Sequence, residues 1–255
     1  MIPIDFDERE GFIDTYFKDL QAIENDLLTK LKVMIRSKEY TDTELSKTLA
    51  TLNFLETLDG YDFSKVTQDF LDKYDDTLQQ LKGYAESNGL RVSAVTIREL
   101  DDLINLETDV ILKRADAYGA ELKRFMVRSL VGGTDRRLIA QQLESAVPES
   151  VKFNSHMARV ATSQAFTAFR AVTLDKVMSS QDNEVRYRLI HPFDDNTRHR
   201  CKVAIAIDEK NPDGFTRKQI DGGALGDEYT FENLGGFNCR GDWLPVIDSL
   251  FEDAE

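Results

Sequence analysis

The sequence predicts a mainly α-helical protein: a bundle of long helices at the amino terminus, followed by a small irregular α+β module. No proline occurs between Pro3 and Pro148, and apolar residues in that stretch recur at helical spacing. Seven of the 14 glycines lie between Gly214 and Gly241, a concentration typical of turns. We therefore expect a helical domain over residues 1–150, a connecting helix over 151–180 and an α+β module over 181–255.

The first helix is predicted from an apolar stripe that repeats every seven residues. The charged residues beside it lack the regular e and g pattern of an intermolecular coiled coil, so we expect this helix to pack within a bundle. The stripe consists of Ile13, Leu20, Leu27 and Met34.

A second helix is predicted to begin after Thr41, because Glu44 follows three residues later and completes a capping box. Its apolar leucines continue to a stop at Asp59-Gly60. The expected helix is uninterrupted between these two signals.

Further helices are predicted over residues 63–88 and 93–131, where each apolar pattern ends in front of a glycine. Thr134 is expected to cap a short helix that ends at Pro148. The alanine-rich stretch from 151 to 179 predicts the connecting helix, since small side chains allow close packing.

Two strands are expected in the carboxy-terminal module. Residues 185–191 alternate between apolar and polar and run up to Pro192, which is the pattern of a half-buried strand. A second short strand is expected at 243–247, and the stretch between the two strands is expected to consist of turns.

Composition excludes several classes of function. The chain carries 46 acidic and 32 basic side chains, a formal net charge of −14, so a general DNA-gripping surface is not expected. DNA can lie nearby without being held tightly. No run approaches the roughly 18 to 20 apolar residues of a membrane span, and the amino terminus lacks the pattern of a signal peptide, so we expect synthesis in the cytosol and no membrane role.

No conventional catalytic signature is present in the sequence. It contains no Walker loop, strand-linked GxGxxG, HExxH, CxxC or GxSxG motif. Asp194 and Asp195 are adjacent and would point to opposite sides of an extended chain, so they do not form a glycosidase-type pair. We expect no catalytic residues and no enzymatic activity.

All soft metal ligands of the carboxy-terminal module fall in one set of four residues. A tetrahedral zinc site built from two thiolates and two imidazoles would tie a loop-rich module together. The irregular spacing equally allows a disulfide or two buried cysteines, so no cofactor is assigned and zinc stays open. The four residues are His191, His199, Cys201 and Cys239.

Three short segments of the carboxy-terminal module follow one another in order. They are 193–201 (FDDNTRHRC), 214–220 (GFTRKQI) and 235–246 (GGFNCRGDWLPV). Together they resemble the carboxy-terminal signature of the phage Mu F-type minor head proteins, a family of phage head morphogenesis. That signature has an Asp-x-x-Thr-Arg-x-x-Cys turn, a Phe-Thr-x-x-x-Ile step and a closing Gly-Gly-Phe-Asn-Cys-Arg-x-x-Trp-x-Pro-Val strand. With the upstream run 158–162, the resemblance covers about residues 155–247.

The resemblance implies a minor capsid protein that is made in the bacterial host cytoplasm and resides in the virion. Such a protein would lie at the portal vertex or in the capsid interior during procapsid assembly and DNA packaging. The implied partners are the portal protein first, then scaffold and major capsid protein. Because Mu F-type modules also occur joined to toxin domains, the alternative is an effector delivered with DNA, such as an ADP-ribosyltransferase-like enzyme.

Within this signature, the polar residues are interpreted as a structural clamp rather than as a catalytic site. Arg198 and Arg240 each follow a turn and are expected to pair with Asp194, Asp195 or Asp242. The glycine pair allows unusual backbone dihedrals, and the single tryptophan is expected to plug the core beneath the loops. The complete clamp set is Asp194, Thr197, Arg198, Gly235, Gly236, Asn238, Arg240 and Trp243.

Overall fold

The computed structural model describes residues 6–153, 155–179, 184–195, 197–236 and 239–247. These residues form nine α-helices and one three-stranded antiparallel sheet near the carboxyl terminus, which confirms the predicted fold class. The helices are α1 (Phe6–Arg36), α2 (Asp42–Thr51), α3 (Phe54–Asp59), α4 (Phe63–Ser87), α5 (Ala94–Val131), α6 (Arg136–Gln142), α7 (His156–Met178), α8 (His199–Asp208) and α9 (Arg217–Asp221). The strands are β1 (Arg186–Ile190), β2 (Phe215–Thr216) and β3 (Asp242–Pro245).

The apolar stripe of α1 is buried over most of its length. Ile13, Leu20 and Leu27 are buried, whereas Met34 is half-buried and Ile35 takes the buried position at the end of the helix. A straight helix has 3.6 residues per turn, so a strict seven-residue repeat drifts off the buried face after a few turns.

The capping box before α2 is formed as the sequence predicts. The Thr41 Oγ1 accepts a hydrogen bond from the Glu44 amide at 3.3 Å, and the Glu44 carboxylate accepts one from the Thr41 amide at 2.8 Å. The expected uninterrupted helix to Asp59 is wrong, because α2 ends at Thr51. The Asn53 side chain accepts from the Glu56 amide and starts α3, as short polar side chains do when they compete for backbone donors.

The cap of α6 lies one residue later than predicted. Asp135, not Thr134, accepts a hydrogen bond from the Arg137 amide, at 2.8 Å. The α-helix ends at Gln142, and two 3-10 turns, Leu143–Ser145 and Glu149–Val151, replace the expected continuation to Pro148.

The chain divides into two compact units. One comprises Glu10–Leu71 and Leu106–Arg159. In its core the Tyr118 ring lies 4.6 Å from the Phe153 ring, and the Tyr118 hydroxyl donates to Glu24 at 2.8 Å. The other unit comprises the described residues within Asp72–Asn105 and Val160–Glu255, with residues 6–9. This partition differs from the division at residues 150 and 180, which stays a prediction.

In the second unit, Tyr74 of α4 packs against two aromatic rings of α7. The Tyr74 ring centroid lies 4.9 Å from that of Phe166 and 4.8 Å from that of Phe169. This aromatic core anchors the helix that precedes the sheet. Among the described residues, no helix combines the length and the apolar composition that crossing a bilayer requires.

The sheet has the order β2-β1-β3, so that the predicted strand β1 is central and pairs antiparallel with both neighbours. Leu189 of β1 lies opposite Trp243 of β3. The expectation of turns between the predicted strands is wrong, since α8, β2 and α9 lie there. The run Val203–Ile207 in α8 has no helical periodicity, and α9 depends on a capping box between Thr216 and Gln219.

Candidate functional site

The three segments that carry the resemblance meet around β1. The first follows β1 and enters α8, the second forms β2 and most of α9, and the third leads into β3. Because β1 pairs with both β2 and β3, segments far apart in sequence lie side by side. The candidate site is this arrangement of loops about the central strand.

The turn after β1 is closed by Thr197, which is buried. Its hydroxyl accepts a hydrogen bond from the Asp194 amide at 2.9 Å and donates to the Pro192 carbonyl at 2.9 Å. The Thr197 amide donates back to the Asp194 carbonyl at 3.0 Å. A threonine at this position therefore fixes the turn and, with it, the position of the Asp194 carboxylate.

Arg240 binds the carboxylate of Asp194 through two hydrogen bonds. Nη1 donates to Oδ2 at 2.7 Å and Nη2 donates to Oδ1 at 2.6 Å. The guanidinium side chain is 24% exposed and the carboxylate side chain 42%. This fork joins the loop before β3 to the turn after β1.

The partner of Asp242 was missed by sequence reasoning. Asp242 is buried and is bound by Arg170 of α7, and it also accepts from the Trp243 amide at 2.8 Å. Arg198, the other expected clamp arginine, is half-buried at the N-cap of α8, and Asp195 is exposed. The only sign of this ion pair in the sequence is that Arg170 is a charged residue within an alanine-rich helical face.

Trp243 lies in the core of the module, where it is 1% exposed. Its ring stacks on Phe231 with centroids 5.3 Å apart, and its Nε1 donates to the Phe231 carbonyl at 2.7 Å. Phe231 in turn contacts Tyr187 of β1 edge-on. The indole thus fixes an irregular loop to the central strand.

The two adjacent glycines serve different needs. Gly236 adopts a φ of 75°, a conformation that favours glycine, whereas a Cβ at Gly235 would lie 2.8 Å from the Tyr229 hydroxyl. The sequence predicts the unusual backbone conformation at Gly236 but not the lack of space for a side chain at Gly235. The remaining clamp residue, Asn238, lies outside the described residues.

A second network of side-chain hydrogen bonds and ion pairs in this unit was not expected from the sequence. Asp175 of α7 accepts from the Tyr187 hydroxyl at 2.9 Å and from Arg217 Nη1 at 2.7 Å. Arg217 also donates to Glu232 at 2.5 Å. Asp175 therefore joins α7 to β1 and α9, and burial raises the pKa of the Tyr187 hydroxyl, which stays neutral.

Three of the four candidate metal ligands come together. The ligand atoms of His191, Cys201 and Cys239 all lie within 4.8 Å of one another. Both cysteines are buried and they are not joined in a disulfide. His199 is exposed and is not part of this group, which corrects the four-residue set. It lies two positions before Cys201 in α8, and side chains two apart on a helix point in different directions.

The groups around these three residues orient them. His191 Nδ1 lies 2.7 Å from the Pro192 carbonyl, so that Nδ1 carries the proton and Nε2 is left for another partner. The Gly241 amide donates to Cys239 Sγ at 3.4 Å. Such outer contacts are typical of residues that hold a metal ion.

The hydroxyl of Tyr229 is buried in the same place. It makes no hydrogen bond of good geometry in the described part of the chain. Burial is the main cause that raises its pKa, followed by the neighbouring Cys201 sulfur and then Cys239. Tyr229 therefore presents a neutral O–H group beside two sulfurs.

No protein-family model, curated protein or solved structure matches this chain. The functional argument therefore depends on the motif residues and on the geometry that they form.

Proposed function

We propose that this chain is a structural protein of a phage head, a Mu F-type minor capsid protein that acts in head morphogenesis. It binds at the portal vertex or in the capsid interior during procapsid assembly and DNA packaging. The observation that carries the proposal is the meeting of the three signature segments at β1, where Arg240 and Thr197 both bind Asp194. Residues that define the resemblance thus hold one module together.

Three carboxylates of the second compact unit form ion pairs within that unit. Asp194, Asp242 and Asp175 are each bound by an arginine. A catalytic carboxylate must reach a substrate or its protons, whereas these carboxylates face arginines of the same compact unit. This use of charge favours an assembly role over catalysis.

The acidity of the chain suits a position near packaged DNA without tight binding. The 46 acidic side chains outnumber the 32 basic ones, so the chain has no excess of positive charge with which to displace counterions from phosphates. We expect the chain to repel the duplex and leave it mobile. The purified chain should not retain duplex DNA at physiological salt, and retention there would contradict this part of the proposal.

The proposal is tested by co-sedimentation of the full chain with the portal protein encoded in the same genome. We expect association in a fixed ratio, and portal sedimenting without the chain would overturn it. Assay of NAD turnover in the same preparation separates the alternative, because an ADP-ribosyltransferase-like effector consumes NAD and a structural head protein does not.

A further inference from the structure

We propose that the carboxy-terminal module holds a structural Zn²⁺ ion, bound by the sulfurs of Cys201 and Cys239 and by His191 Nε2. With three protein ligands, the fourth tetrahedral position is open to water, which distinguishes this site from the closed, four-ligand sites of zinc fingers. This site goes beyond the proposed function and does not depend on it, since a zinc ion would stabilise the module whatever the chain assembles with.

The distances among the three ligand atoms are close to those of a zinc site. Tetrahedral bonds of about 2.3 Å to sulfur and 2.0 Å to nitrogen place ligand atoms about 3.5 to 3.8 Å apart. The three atoms lie within 4.8 Å of one another, so closing on a metal ion requires movements of about 1 Å.

The cluster is assembled from three separate parts of the module. His191 follows β1, Cys201 lies in the first turn of α8, and Cys239 lies in the loop before β3. A single ion would therefore cross-link the end of β1, the start of α8 and the loop before β3. This is the task of structural zinc in small, loop-rich modules.

The orientation of α8 against β1 is fixed independently of the ligands. The buried Asp208 carboxylate accepts from the Leu189 amide at 3.0 Å and from Arg188 Nε at 2.9 Å. These bonds tie the last turn of α8 to the strand that ends beside His191. His191 and Cys201 are thus held near each other by a fixed strand and helix, which is what a preformed metal site needs.

Gly241 leaves space for the cluster. A Cβ at this position would lie 3.2 Å from His191 Cδ2 and 3.3 Å from Cys239 Sγ. Because Cδ2 is bonded to Nε2, the Nε2 side of the imidazole and the Cys239 sulfur both face Gly241. The absence of a side chain at Gly241 leaves room for the His191 imidazole and the Cys239 thiol to lie close to this residue.

The charges balance when the metal binds. Each thiol loses its proton, two S–Zn bonds form together with one N–Zn bond, and two protons are released to solvent. Two thiolates neutralise the 2+ charge, so the buried site carries no net charge. The Gly241 amide already donates to Cys239 Sγ and would stabilise it as a thiolate.

The experiment titrates Co²⁺ into the reduced, metal-stripped full-length chain and follows the absorption spectrum. We expect a thiolate-to-cobalt charge-transfer band with the intense d–d bands of tetrahedral cobalt, saturating at one ion per chain and displaced by Zn²⁺. His191→Ala and Cys239→Ser should weaken binding by at least about tenfold. His199→Ala is the matched control, since His199 is exposed and outside the cluster, and should bind as the parent does.

A second measurement on the unaltered chain covers the case in which a ligand variant does not fold. Zn²⁺ should protect both cysteines from a thiol-reactive dye, and a chelator should restore their reactivity. A spectrum without the charge-transfer band would overturn the proposal. So would equal thiol reactivity with and without Zn²⁺, or a Cys201–Cys239 disulfide in the reduced preparation.

Discussion

Arg240 and Asp194 lie 46 positions apart in sequence and are joined by two hydrogen bonds of 2.7 and 2.6 Å. The Thr197 hydroxyl accepts a hydrogen bond from the amide of the same aspartate at 2.9 Å. The turn after β1 and the loop before β3 are therefore fixed to each other by one guanidinium group. This pair is the part of the expected clamp that the structure brings together.

Arg240→Ala should destabilise the carboxy-terminal module while leaving the helices of residues 1–150 intact. Because both side chains are partly exposed, we expect a loss of about 1 kcal/mol in the free energy of unfolding. Limited proteolysis should show faster cleavage within residues 181–255. Lys210→Ala, an exposed change in the turn after α8, is the control. Unchanged protease resistance in Arg240→Ala would remove the clamp interpretation.

Arg170→Ala should cost more than Arg240→Ala. Asp242 is buried, and removal of its arginine leaves an uncompensated carboxylate, a change worth about 3 to 5 kcal/mol. Urea unfolding measures this difference. Lys176→Ala on the same helix removes an exposed ion pair with Glu99 and should change stability by less than about 1 kcal/mol. Equal effects of the two substitutions would contradict the assigned importance of the Arg170–Asp242 pair.

Trp243 offers a spectroscopic probe of the module, since it is the single tryptophan of the chain. Its burial predicts a blue-shifted emission maximum that moves to the red when the module unfolds. Phe231→Ala removes the stacked ring and should destabilise the module by about 3 to 5 kcal/mol. A red-shifted emission from the native chain would show that the indole is not packed as described.

Alkaline pH should unfold the chain cooperatively. Burial raises the pKa of the Tyr187 and Tyr118 hydroxyls, so the folded state favours their neutral form. Their contribution to stability is complete below about pH 10, the pKa of an unfolded tyrosine, and is lost as pH rises above it. Tyrosinate absorbance from these residues should appear together with the loss of helical circular dichroism. Ionisation of all eight tyrosines near pH 10 in a chain that is still folded would contradict the burial.

Sequence reasoning located the long helices well because each has a long apolar pattern and a local stop signal. The end of α4 and the end of α5 follow directly from glycines placed after the pattern. The break at Asn53 was missed, since a single side chain can cap a new helix without changing the apolar pattern. Short elements such as α8 depend on tertiary packing that no local pattern encodes.

Only part of the candidate site could be predicted from the sequence, for a similar reason. Asp194 and Arg240 belong to recognisable turns, so their pairing could be expected, whereas Arg170 lies in a helix and reaches Asp242 only through the packing of α7 on the sheet. The His199 imidazole is a typical metal ligand, but on α8 it is exposed and does not join the other three residues. Composition identifies such residues, and only the fold decides which of them meet.

The measurement that tests the central claim most directly is the amount of this chain in heads purified from cells in which its encoding genome is expressed. We expect this chain in every head that carries a portal, in a fixed ratio to the portal protein, and its loss from heads assembled without portal. Heads that contain portal and no trace of this chain, with the chain recovered as a separate monomer, would contradict it.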